Sequence, residues 1–356
     1  MTQPQLTRYA SCVVCGGAHL DELAGADQLA SEAAHRENLF RDLFPPGTPE
    51  YMLKDRAFAT QTYDARLLLC RACHTLARDP HLSPRGETEE YEEDAYHPSW
   101  LESSFREFHA AFRQRMRELV RWVGPRATVL EVGSFVGGFM AAAQEAGWRT
   151  IGVDVGECVT AFARSKGLDV RHGRLVDARF PEKSFDAVFV WSCFDQFPRP
   201  WEDLNEISRV LRDGGRLMLR VPNGAFVNRA HRLLRRLPFE GARESVRRVL
   251  AFAGLAAFPF QLGYTPESLR HMLHVAGFRD VRIRNRINVR GFDPDRRSFF
   301  SISAATRALR AVHAVSQILF YASFGALAWG PWIEVSCSLT KPSGHRYPRL
   351  THPERE

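Results

Sequence analysis

Glu131 and Gly133 close an apolar run that begins at Val129, Gly137 and Gly138 follow four and five residues after Gly133, and a second apolar run, Ile151 to Val153, ends on Asp154. The first run predicts a buried parallel strand, the glycines a tight turn into a helix, and the second run a parallel strand reached after one helical crossover. Glycine lets backbone approach a ligand closely, a helix N-terminus offers unpaired N–H groups, and a carboxylate at the tip of the second strand can accept both hydroxyls of a ribose. The pattern therefore predicts a doubly wound α/β domain built around a nucleoside cofactor. A dinucleotide fingerprint would need glycine where Phe135 stands, and that ring would crowd a pyrophosphate. The plainer alternative is a glycine-rich strand-to-helix turn of any doubly wound protein.

The stretch resembles the first motif of class I S-adenosylmethionine-dependent methyltransferases, with Glu131, Gly133 and Gly137 matching and Phe135 replacing the middle glycine. Later segments extend the likeness: Gly173, Arg174 and Leu175; Ser184, Phe185 and Asp186 ahead of the apolar run Ala187 to Val190; the turn Arg212 to Gly215 before a strand from Arg216 to Val221; and Gly263 to Phe278 before a sixth strand. Thr265 and Pro266 suit the N-cap and first turn of the helix in that last segment. The resemblance implies an α/β fold, a Rossmann-like seven-stranded methyltransferase sheet with its last strand antiparallel. It also implies S-adenosyl-L-methionine as cofactor, held by Glu131, Gly133, Phe135, Gly137, Asp154, Leu175 and Ser192. Two departures stand out. Arg174 occupies a position that is commonly acidic in the family, and Asp195-Gln196 replaces the Glu-His pair of many relatives, exchanging a titratable imidazole for a carboxamide. Candidates for a general base are Tyr96, His97, Asp195, Gln196 and Tyr264, with His97 or Tyr96 favoured; His97 as a plain helix cap is the alternative.

Of seven cysteines, four form two C-x-x-C pairs, Cys12/Cys15 and Cys70/Cys73. In a reducing compartment such pairs predict a tetrahedral structural zinc site, against a redox pair or free thiols. An N-terminal knuckle pair ahead of a cofactor domain resembles the sugar C-methyltransferases and their relatives, which implies that a small zinc-ribbon-like module helps build the substrate pocket. The expected organisation is a zinc-binding module over 1–97, an amphipathic linker helix over 98–124, a methyltransferase domain over 125–342 with an insert at 224–262 and an apolar helix at 302–330, and a polar tail over 343–356.

The net charge of +7 comes from 48 Lys and Arg against 41 Asp and Glu, and between Gly224 and Leu250 seven arginines face only Glu240 and Glu244. Such a patch attracts anions and is equally the solvated face of a helix. No aromatic and basic residues interleave in the knuckles, which argues against nucleic acid as partner. Residues 311–330 carry no Asp, Glu, Lys or Arg. That length could cross a bilayer, but the strand expected after it must rejoin the sheet, so a buried helix is predicted, with an interfacial one second. The N-terminus leads to the knuckle with no apolar core, so a cytoplasmic protein is expected, open to peripheral membrane contact. The functional expectation is methyl transfer to a small molecule of sugar, sugar-nucleotide or related type, anionic acceptors included. An RNA methyltransferase and a non-catalytic cofactor-binding protein are the alternatives.

Overall fold

A computed structural model describes residues 5–43, 63–83, 86, 96–286, 314–315, 317–318, 322 and 330–340. The polar tail, Tyr91 to Ala95 and most of the apolar stretch at 302–330 fall outside the described residues. In chain order the strands are β1 (Leu6–Thr7), β2 (Leu20–Ala24), β3 (Arg66–Cys70), β4 (Leu76–Asp79), β5 (His81–Leu82), β6 (Thr128–Val132), β7 (Arg149–Asp154), β8 (Val170–His172), β9 (Phe185–Trp191), β10 (Leu211–Pro222), β11 (Leu262–Gly263), β12 (Phe278–Arg286) and β13 (Trp332–Leu339). The helices are α1 (Ala26–Leu43), α2 (Pro98–Val123), α3 (Gly138–Glu145), α4 (Glu157–Ser165), α5 (Pro200–Val210), α6 (Gly224–Arg236), α7 (Glu240–Phe252) and α8 (Pro266–Val275).

Seven strands form one sheet in the order β12-β13-β10-β9-β6-β7-β8. Strands β10, β9, β6, β7 and β8 run parallel, and β13 lies antiparallel to both of its neighbours, as the methyltransferase pattern requires. The central strands are continuous apolar runs because helices cover both faces. Leu130, Val188 and Leu217 face a core shared with α5 and α8, while Val129, Phe189 and Met218 face α2 and α3. The chain leaves β6 toward β8 and returns to β9 on the other side of β6. This reversal opens a crevice beyond the carboxyl ends of β6 and β9, where doubly wound folds bind their ligands.

Strands β2, β3 and β4 make a second sheet, and β11, from the far end of the insert, adds its fourth strand. The N-terminal segment therefore packs directly on the cofactor core. Cys12, Val13, Val14, Cys70 and Ala77 share one apolar cluster with Phe194, Tyr264 and Leu269. Trp201 donates to the Val14 carbonyl at 3.2 Å, and the Thr265 hydroxyl donates to the Cys73 carbonyl at 3.2 Å. Helices α6 and α7 fill the insert, and Arg243, Arg247 and Arg248 pair there with Glu240 and Glu244, a solvated pattern. Buried bonds join the insert to α1: Arg36 donates to the Ala256 carbonyl at 3.1 Å, and the Ala257 N–H donates to Glu32 at 3.0 Å. Among the described residues no helix is long and apolar enough to cross a membrane.

Candidate active site

Strand β6 delivers its glycine turn to the crevice through backbone geometry that few residues tolerate. Gly133 has φ +70°, and a Cβ there would collide with the Cys193 sulfur; Gly137 has φ +78°, and a Cβ would strike Leu168. Phe135 holds φ +49° without being glycine, a conformation that costs roughly 1–2 kcal/mol. Its ring recovers this against Trp100, Phe108 and Tyr96, at centroid separations of 5.5, 5.8 and 6.3 Å. Each such aromatic contact contributes about 0.5–1.5 kcal/mol, so the cluster outweighs the strain. Phe135 thus fastens the turn to α2.

Asp154 closes β7 and is buried. Its carboxylate accepts from the Phe135 N–H at 2.7 Å and the Gly156 N–H at 2.9 Å, joining the tips of the first two parallel strands. Glu131 is 4% exposed, and one of its carboxylate oxygens has no hydrogen-bond partner. Burial, then the nearby Asp154, pushes its pKa well above the usual carboxylate range. Both causes favour the protonated form of Glu131.

Ser192, at φ +58°, donates its N–H to the Arg220 carbonyl at 2.9 Å and is half-buried beside the turn. Leu175 is buried in the core under the loop that follows β8. Gly133, Phe135 and Asp154 meet at the ends of β6 and β7, with Cys193 against Gly133 and Ser192 next to it in sequence; Glu131 lies on β6 just before the turn, and Gly137 caps α3. Arg174 turns toward α5 and meets Asp203 at 3.4 Å and Glu202 at 3.5 Å.

The candidate bases divide. His97 caps α2: its Nδ1 accepts from the Ser99 N–H at 3.3 Å and lies 2.7 Å from the Ser99 hydroxyl. Tyr96 stacks on Trp100 with centroids 4.6 Å apart. Asp195 is 0% exposed, and burial raises its pKa to about 7. One of its oxygens accepts from Gln196 at 3.2 Å and the other has no partner. The side-chain amide oxygens of Gln196 and Gln261 are also buried without partners. The Gln261 side-chain amide donates to the Gln196 main-chain carbonyl at 2.8 Å, and the Tyr264 ring stacks on Phe194 at 5.3 Å. Gln261 carries no motif in the sequence. The fold alone brings it to the Asp195–Gln196 segment, from the end of the insert.

The four knuckle cysteines converge as their spacing predicts. The Cys12 and Cys73 sulfurs lie 3.5 Å apart, those of Cys15 and Cys70 3.6 Å, and all four fall within 4.8 Å of one another. A tetrahedral zinc with bonds of about 2.3 Å would set its sulfurs roughly 3.8 Å apart. Knuckle turns hold them, with the Gly16 N–H on the Cys12 carbonyl at 2.8 Å and the His74 N–H on the Cys70 carbonyl at 3.0 Å. The set fits a four-thiolate metal site in spacing and donor type.

With this geometry in view, comparison with known proteins decides the family. A methyltransferase domain model matches residues 104–283. The chain belongs to the S-adenosylmethionine-dependent methyltransferases. It is 32% identical over 185 residues to a demethylmenaquinone methyltransferase of Thermus thermophilus, covering 47% of this chain and 80% of that one. It is 26% identical over 164 residues to a probable S-adenosylmethionine-dependent methyltransferase of Mycolicibacterium smegmatis, covering 44% of this chain and 59% of that one. A methyltransferase crystal structure from Archaeoglobus fulgidus overlays at a TM-score of 0.43 and 19% identity, over 67% of this chain and 98% of that one.

Proposed function

We propose that this methyltransferase acts on a small hydroxyl-bearing acceptor of the sugar or sugar-nucleotide type, with Asp195 taking the acceptor's proton and a structural zinc on Cys12, Cys15, Cys70 and Cys73. The observation that carries the reading is the set of buried oxygens around Asp195. The Asp195, Gln196 and Gln261 oxygens are acceptors without donors, and each such group buried alone costs about 1–3 kcal/mol. A ligand rich in O–H groups answers that deficit. An apolar ligand would leave it standing.

Bound at the Gly133 turn, S-adenosylmethionine supplies a methyl carried on a sulfonium, which departs as a neutral thioether. Asp154 is assigned to the ribose diol, Gly133, Phe135 and Ser192 to close backbone approach, Leu175 to the apolar floor, and Glu131, on β6 beneath the turn, to the polar lining of the cofactor site. The chain's remaining work is positioning and exclusion of water. Asp195 holds a proton below about pH 7 and can accept one above it, a value suited to general-base catalysis near neutrality.

Incubation with methyl-labelled cofactor and separate pools of sugars, sugar nucleotides, lipids and RNA tests the assignment. Label in a sugar-bearing pool that disappears in Asp195→Asn supports it. Label in RNA that falls with salt, or none in any pool despite bound cofactor, would replace it with an RNA methyltransferase or a non-catalytic binder.

A further inference from the structure

At the opposite end of the Trp191–Gln196 segment the polar deficit has the reverse sign. Trp191 ends β9 on the face covered by α2, and the guanidinium carbons of Arg115 and Arg220 lie 5.2 and 5.0 Å from its ring centroid. Both arginines turn to one carboxylate, Glu334 of β13. Arg115 meets it through two bonds of 2.9 Å and Arg220 at 3.3 Å, while Arg286 adds a third guanidinium at 2.9 Å. Among the described residues no other carboxylate lies within ion-pair reach of Arg115 or Arg220. Burial opposes ionisation of Glu334, yet the three guanidinia overcome it and hold its pKa at about 2. One carboxylate so shared leaves donors over. The Trp191 indole N–H and the Arg220 Nε–H are both buried without an acceptor.

A purely structural ion-pair network would match its donors with acceptors, because each unmatched buried donor is destabilising. Here the surplus is positive charge and N–H groups alone. Its position is also specific: Trp191 is followed by Ser192 and Cys193, and the Cys193 thiol donates to the Val132 carbonyl at 3.2 Å beside the cofactor turn. We propose that Arg115, Arg220 and Trp191 form a subsite for a phosphate-type oxyanion, the group that an acceptor bearing a phosphate or diphosphate would present. Guanidinium forks and an indole N–H suit the several acceptor oxygens of such a group. Its identity as part of the acceptor rests on the methyl-transfer reading; binding of the anion does not.

Calorimetry on the full chain at constant low ionic strength, with inorganic phosphate, inorganic pyrophosphate and UDP-glucose as probes, tests the subsite. Saturable one-to-one binding is expected for pyrophosphate or UDP-glucose, weakened about tenfold or more in Arg115→Gln and severalfold in Trp191→Phe, which leaves a smaller aromatic ring and removes the N–H. Tighter binding of UDP-glucose than of pyrophosphate would place the oxyanion on an ester, and the reverse order on a free anion; either supports the site. Because Arg115→Gln also removes a partner from Glu334, Glu334→Gln provides the opposing variant. Removing the internal competitor should strengthen pyrophosphate binding severalfold in a protein that remains folded by circular dichroism. Absence of saturable binding in the unmodified protein, or equal affinity in Arg115→Gln and Glu334→Gln, would overturn the proposal. S-adenosylhomocysteine titrated into the same preparations separates the two ideas. Cofactor binding without anion binding removes the subsite, and anion binding without cofactor binding removes the methyl-transfer reading.

Discussion

Asp195 and Asp154 carry different burdens, and substitution separates them. Asp195→Asn keeps the shape and removes the proton acceptor, so kcat is expected to fall by about 10²–10⁴-fold while cofactor affinity stays unchanged by calorimetry. The pH dependence has a definite sign. Burial raises the folded pKa of Asp195 to about 7, so its contribution to stability is fully present below the unfolded value of about 3.9 and is lost as pH rises through 7. Activity should climb over the same interval, and a rate profile flat between pH 5.5 and 8 would remove Asp195 as base. Sequence alone brought Asp195 into view through the motif it partly matches. It could not rank Asp195 above Tyr96 or His97, because what sets Asp195 apart is total burial, a tertiary property. Arg115, Trp191 and Arg220 are further from legibility still, since an arginine on an amphipathic helix reads as a solvated face until the sheet brings a second one to the same ring.

The elements behave as their local chemistry dictates. Helix α8 begins where Thr265 and Pro266 indicate, with a capping box in which the Ser268 N–H donates to the Thr265 hydroxyl oxygen at 3.1 Å and the Ser268 hydroxyl lies 2.9 Å from the Thr265 N–H. The same threonine donates to the Cys73 carbonyl. Thr265→Ala should therefore destabilise the chain by about 1–2 kcal/mol, read as a shift in the denaturant midpoint, and Thr265→Ser should restore most of it. The glycine turn is less forgiving. Gly133→Ala adds a methyl against Cys193 at a positive φ, so loss of cofactor binding is expected with helical content retained. Unaltered affinity in that variant would place the ligand elsewhere. Strand β11 shows where sequence reading stops. Leu262–Gly263 is two residues long, too short to carry a period, and its pairing with β4 exists only because the insert folds back onto the N-terminal sheet.

Across the whole molecule, the order β12-β13-β10-β9-β6-β7-β8 follows from motifs spaced along the chain, which is why the doubly wound sheet was legible from Val129 to Leu339. The joint between knuckles and sheet was not, because its partners on the sheet side, Trp201, Thr265 and Phe194, belong to no cysteine pattern. That joint makes a prediction about metal. Protein purified without chelator should contain one zinc per chain, and stripping it should lower the temperature of one cooperative unfolding transition. Two separate transitions would show that the shared apolar cluster does not couple the parts. The central claim is narrower: the crevice between Gly133 and Asp154 binds the adenosyl cofactor. Titration calorimetry with S-adenosylhomocysteine tests it most directly. Stoichiometric binding that weakens by about tenfold or more in Asp154→Ala is the predicted result, and no binding, or equal affinity in the variant, would contradict it.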